Sequence, residues 1–148
     1  MRIAARKELV AIGPAAVPAL CDALDDLNQR IQWDAGKILA IIGDARAAPR
    51  LAARIADANM DVRLVIAEAL AALGKEGIAA LLEALIRDPE SENLRRGTHH
   101  VAHMLLTKTW AAPLRGVIAA IDGTYPNIEI PIAAHAALAQ WGKPVHDR

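Results

Sequence analysis

Three of the chain's five histidines fall within five residues, in Thr98-His99-His100-Val101-Ala102-His103-Met104. Neutral imidazole is a frequent ligand for zinc, nickel and copper, so a cluster of this kind raises metal chemistry first. On a helix, His99 and His103 are one turn apart and share a face, whereas His100 lies on the opposite flank. Two imidazoles do not make a site; a third ligand and an open position are also required.

Other catalytic templates are missing from the sequence. It contains no GxSxG, no P-loop, no HExxH and no GxGxxG. The one cysteine, Cys21, excludes an internal disulfide and any CxxC metal or redox motif. Beside Leu20 and Leu24 it reads as a buried small side chain. Seventeen basic residues balance seventeen acidic ones, which removes the bulk electrostatic argument for nucleic acid or an anionic membrane. "RIAARKE" puts charges where a secretion signal needs an apolar core, and no apolar run approaches the roughly 20 residues of a membrane helix. These features point to a cytoplasmic protein with no cofactor.

The elements that carry these residues follow from composition and period. The chain is 148 residues long and 54% hydrophobic, with no Phe and one Tyr. Its apolar surface is thus mostly small and aliphatic, which favours close-packed helices. "DLNQRIQWDAGKILAIIG", starting at Asp26, lies on "DANMDVRLVIAEALAALG", starting at Asp57, at a constant offset of 31 residues. "RIAARKELVAIG", "ENLRRGTHHVAHMLLTK" and "NIEIPIAAHAALAQWG" continue the frame, and each full copy follows another apolar segment of helical period. The unit is helix, turn, helix, Gly. Val62, Ile66, Ala69, Leu70 and Leu73 form one apolar stripe, Asp61 is placed to cap its helix, and Gly74 to end it. Pro18, Pro49 and Pro113 fall in or near first turns, where a missing N–H is tolerated.

"DVRLVIAEALAALG", preceded by "APRLAARIAD", resembles a HEAT repeat of the short bacterial type found in phycobilisome-lyase-like proteins. The resemblance covers nearly the whole chain and is strongest over residues 14–88. It implies an all-α fold, a right-handed α-solenoid of stacked antiparallel hairpins: a half-repeat at 1–13, repeats at 14–43, 44–74, 75–108 and 109–142, and a tail at 143–148. The half-repeat reads as a cap bearing Arg2, Arg6, Lys7 and Glu8, with a fragment or a partner-covered end as alternatives. The family serves scaffolds, lyase subunits, hydroxylases and DNA glycosylases alike, so the likeness speaks for fold more than function.

With the repeats aligned, positions opposite the core stripe become columns on the expected concave surface. At 100° per residue Leu64, Ala67 and Ala71 point outward. The Leu64 column reads Ile3, Trp33, Leu64, Arg96, Ile132, and the Ala71 column Val10, Ala40, Ala71, His103, Ala139. A strip this apolar marks a partner-binding groove, or else a surface that flanking helices or a homodimer cover. Trp33 is the expected anchor, larger than its counterparts. Trp141 is assigned to the core, while Trp110 fits core or surface. Arg2, Arg63 and Arg95 form a flanking column, expected to ladder with acidic residues of neighbouring turns.

The same register places His135 at the His99 position of the following repeat. His99, His103 and His135 are therefore the candidate metal set; solvated or partner-contacting histidines are the alternative. Arg96 on the same side and the lack of an obvious carboxylate helper argue against the metal. Deoxyhypusine hydroxylase, a HEAT-like relative, would require His-Glu pairs where this chain has Trp33-Asp34, Leu64-Val65, Arg96-Gly97 and Ile132-Ala133. HEAT-like glycosylases would require a strongly basic face with aromatics and an Asp. Trp33-Asp34 is present, but the chain is neutral. Arg46, Arg50 and Arg54 form a stripe expected on the convex side, most simply a solvated face, which makes nucleic acid an unlikely partner. The sequence thus reads as a non-catalytic scaffold that binds a protein or peptide through Ile3, Trp33, Leu64, Arg96, His103 and Ile132. Its alternative is a histidine-centred metal protein.

Overall fold

The computed structural model describes residues 3–56 and 58–142, so Arg2 and the tail lie outside the described residues. Nine α-helices, three short 3₁₀ turns and no strand occur among the described residues. A single helix, α1 (Ile3–Ile12), precedes four pairs: α2 (Val17–Ala23) with α3 (Gln29–Ile42), α4 (Ala48–Ile55) with α5 (Met60–Ala72), α6 (Lys75–Arg87) with α7 (Glu92–Leu105), and α8 (Leu114–Ile121) with α9 (Pro126–Gln140).

Local chemistry sets the helix ends. Asn28, Asn59 and Ser91 precede α3, α5 and α7, and each side chain accepts from a first-turn backbone N–H. Asn59, not Asp61, is therefore the cap of α5: its Oδ1 lies 2.9 Å from the Val62 nitrogen. Asp61 stands one residue inside the helix, where its charge suits the positive end of the dipole. At the far ends Gly13, Gly43, Gly74 and Gly142 all have φ between 61° and 69°. This left-handed conformation ends a helix at little cost only for Gly. Pro18, Pro49 and Pro126 occupy first turns.

The apolar stripes meet in one core cluster whose largest fully buried members include Leu24, Ile38, Leu51, Ile55, Ile66, Leu70, Leu81 and Leu114. Burial of each such side chain stabilises by about 1.5–3 kcal/mol. Cys21 is buried in this core, and desolvation pushes its thiol up from the ordinary value. Through α7 the stacking is that of an α-solenoid: α1, α3, α5 and α7 form one layer, with α4 on α6 behind. Helices come close where Gly replaces a side chain. A Cβ on Gly36 would lie 2.7 Å from Val65 Cγ1, across the α3–α5 contact.

The last pair departs from the repeat. α9 packs mainly on α6 and α8 and touches α7 only near its start, where Arg95 donates to Asn127, while α8 rests against α7. The hairpin is thus turned relative to its predecessors. A connection of eight residues, 106–113, joins α7 to α8, whereas two residues join α5 to α6, so the chain has room to cross over. Trp141 ties the end of α9 to this connection: its Nε1–H donates to the Trp110 carbonyl at 2.9 Å, and the two rings meet edge-on with centroids 5.8 Å apart. Both tryptophans are half-buried against the core.

Candidate peptide-binding face

The layer of α3, α5 and α7 carries two clefts, and Leu64 lines both. Leu64 projects from the middle of α5 and is 49% exposed. It is therefore a ridge between neighbouring helices, flanked on the next turn down by Met60, which is 64% exposed. A helix surface of an isolated soluble domain ordinarily fills such positions with charged or polar groups.

The cleft between α5 and α7 has a volume of about 200 Å3 and an apolar floor of Ile55, Ala67 and Gly97. Met60 and Leu64 form one wall, and Arg63, Asn93, Arg96 and His100 supply the polar rim. Ala67, read from the sequence as an outward residue, is only 2% exposed. Its methyl lies at the bottom of the cleft because the neighbouring helix α7 closes over that side of α5. Gly97 makes the floor possible: a Cβ there would sit 2.5 Å from Ile55 Cδ1.

The second cleft, between α3 and α5, is wider and mixed in charge. Arg30, Trp33, Lys37, Asp61, Val65 and Glu68 line it, and Lys37 Nζ pairs with Glu68 at 2.9 Å. Trp33 is not the free anchor that its size suggests. It is half-buried, and the cations of Arg6, Arg30 and Lys37 stand 5.7, 5.0 and 5.2 Å from its ring centroid. Attraction of cations to the ring face holds the indole among them. Beneath it Asp34 is fully buried and accepts from Arg6 Nη2 at 2.6 Å, with Arg30 Nε at 3.5 Å.

The remaining expected residues separate. Ile3 opens α1 and is exposed, and Arg96 on α7 is exposed and ion-paired with Glu92. Ile132 is 66% exposed, but it belongs to α9 and so does not continue the column of Leu64 and Arg96. The turned hairpin has the same effect on the histidines. The His99 and His103 rings meet at a tilt of 51° with centroids 4.5 Å apart. His135 lies on α9, which packs on α6 and α8. His99 Nε2 also faces a carboxylate, Asp122 Oδ2 at 3.4 Å. Among the described residues no three His, Cys, Asp or Glu side chains are gathered so as to hold a metal ion.

The flanking arginines also take partners other than those expected. Arg63 donates to Asn93 Oδ1, and Arg95 donates to the Pro89 carbonyl and to Asn127 Oδ1, so amides rather than carboxylates make this ladder. On α4, Arg50 reaches back to the Cys21 carbonyl at 3.0 Å and to Asp25 at 2.8 Å. Arg46 donates to the Pro14 carbonyl at 3.0 Å and to Asp44. Its hydrogen bonds hold the Asp44 carboxyl below the usual value. That stripe ties the second hairpin to the first. Met60 and Asn93 are lining residues that the columns do not contain, whereas Arg63 and His100 are named in the sequence as flanking residues and line the cleft as well. Met60 could have been found, since Met60, Leu64 and Ala67 recur at i, i+4 and i+7.

The helices, their Gly-ended pairs and their stacked layers define an α-solenoid. The HEAT-repeat family profile matches residues 1–71 and, in an overlapping register, 17–102; the chain belongs to the HEAT-repeat family. No curated protein and no solved structure gives a significant match to it. No helix among the described residues is long and apolar enough to cross a membrane.

Proposed function

We propose that this protein is a non-catalytic scaffold that binds a protein or peptide on the face formed by α3, α5 and α7. The observation that carries this reading is the open apolar cleft between α5 and α7, with Leu64 and Met60 left in solvent on its wall. Exposed apolar groups that line a concavity gain free energy when a partner side chain excludes water from them. HEAT repeats commonly serve protein interaction, which supports the same reading. Leu64 and Arg96 contribute from the expected set; Met60, Arg63 and His100 join them.

The test compares capture from a lysate by wild type, Leu64→Glu and Ile132→Glu, with circular dichroism on all three. Both substituted positions are exposed, so the fold should survive each change. A protein retained by wild type and Ile132→Glu, lost by Leu64→Glu, and rebound after purification is the expected result. Equal capture by wild type and Leu64→Glu would sink the proposal.

A further inference from the structure

We infer that the partner segment held in the α5–α7 cleft is an acidic peptide: an apolar side chain seated on Ala67 and Gly97 and flanked by carboxylates. This rests on the proposed binding face and adds the chemistry of its occupant. Every ionisable group lining the cleft is basic, namely Arg63, Arg96 and His100, and no Asp or Glu lines it. The α3–α5 cleft beside it differs, since there Asp61 and Glu68 offset Arg30 and Lys37.

The two guanidiniums are available to a ligand. Arg63 is bonded to an amide oxygen, Asn93 Oδ1, which leaves its charge uncompensated by that contact. Arg96 is paired with Glu92 within one helix, and both side chains are largely exposed. An exposed pair of this kind contributes little and exchanges readily for a better carboxylate geometry. The cleft volume of about 200 Å3 suits one aliphatic side chain rather than a whole helix face. Occupancy therefore combines burial of that side chain with charge-assisted hydrogen bonds at the rim. A basic or neutral flank would forgo the second contribution, and a basic one would be repelled.

The experiment is selection from a displayed library of random short peptides, run in parallel on wild type, Leu64→Glu and the double variant Arg63→Gln, Arg96→Gln. Wild type should enrich peptides with Asp or Glu next to Leu, Ile or Met. The best of them, made synthetically, should bind the double variant about tenfold or more weakly. Binding to wild type should also weaken as salt rises, a measurement that needs no variant to fold. Peptides that are lost on Leu64→Glu but show no acidic excess, or bind equally at all salt concentrations, would overturn the inference and leave the binding face standing. Failure of wild type to enrich any peptide over Leu64→Glu would overturn both.

Discussion

Gly97 on α7 faces Ile55 on α4 so closely that a Cβ on the glycine would lie 2.5 Å from Ile55 Cδ1 and 3.0 Å from Cγ1. This contact sets the depth of the cleft, because it lets α7 settle against the end of α4. It is also a contact between a backbone and the flexible end of a side chain, which can yield. Gly77 offers the opposite case: its Cβ would meet the Leu70 carbonyl oxygen at 1.9 Å, and a backbone oxygen can yield only if α6 moves away from α5. Overpacking costs about 1–3 kcal/mol where neighbours adapt, and Ala gains back up to about 1 kcal/mol of helix propensity. Gly97→Ala should therefore destabilise by about 1 kcal/mol, and Gly77→Ala by more than about 3 kcal/mol. Thermal and urea unfolding of the two variants measure this, and a Gly77→Ala protein as stable as Gly97→Ala would mean that α6 does not approach the Leu70 carbonyl this closely.

Arg6 and Asp34 make a second cross-repeat contact whose removal has a distinct signature. α1 has no fully buried residue of its own; Leu9 and Val10 pack partly against the core, and the 2.6 Å bond from Arg6 to the buried Asp34 carboxylate adds a polar tie to α3. Breaking a buried pair by removing one partner costs about 3–5 kcal/mol, and somewhat less here because Arg6 is partly in solvent. Asp34→Ala should destabilise by about 2–4 kcal/mol on that basis. Hydrogen exchange should rise first in α1. The double change Arg6→Ala, Asp34→Ala should cost clearly less than the sum of the single changes, since the two groups form one unit. Additive losses in the cycle would mean that the pair contributes no coupling.

The fold was legible because one kind of information sufficed for it. An offset of 31 residues carries the apolar stripe, the polar cap and the terminal Gly together, and these determine where helices begin, end and pack. Asn59 and Asp61 are both good capping types two residues apart, and only the backbone decides between them. The site was less legible for two physical reasons. The angle on a single helix turns Ala67 and Trp33 outward, whereas their exposure depends on α7 closing over one and on three cations surrounding the other. The period, extended to Ile132 and His135, runs into a hairpin that is turned. The period records which face of each helix is apolar, and α9 is apolar on several sides, with Ile128 and Ile132 exposed while Ile130, Ala134 and Leu138 are buried. Its pattern therefore does not select which neighbour it joins.

The contact that predicts which neighbour α9 joins is the tryptophan pair, and this can be tested directly. Trp141 brings the end of α9 to Trp110, and Lys75 at the start of α6 stands over the Trp110 ring at 5.6 Å from its centroid. The end of α9 is thereby held beside the beginning of α6, antiparallel to it. Trp141→Phe keeps an aromatic ring but loses the N–H donor, and should cost about 1 kcal/mol. Trp141→Ala also loses the ring contact and should cost about 3 kcal/mol or more. Spin labels at Glu76 and Ala139, both exposed, in a background with Cys21→Ala, should give a short and narrow distance distribution in the parent protein. The same labels should give a broad one with Trp141→Ala, because the hairpin can then leave α6. A distribution already broad in the parent, or unchanged by Trp141→Ala, would mean that something other than this pair holds the hairpin, and His135 could then no longer be separated from His99 and His103 on the strength of it.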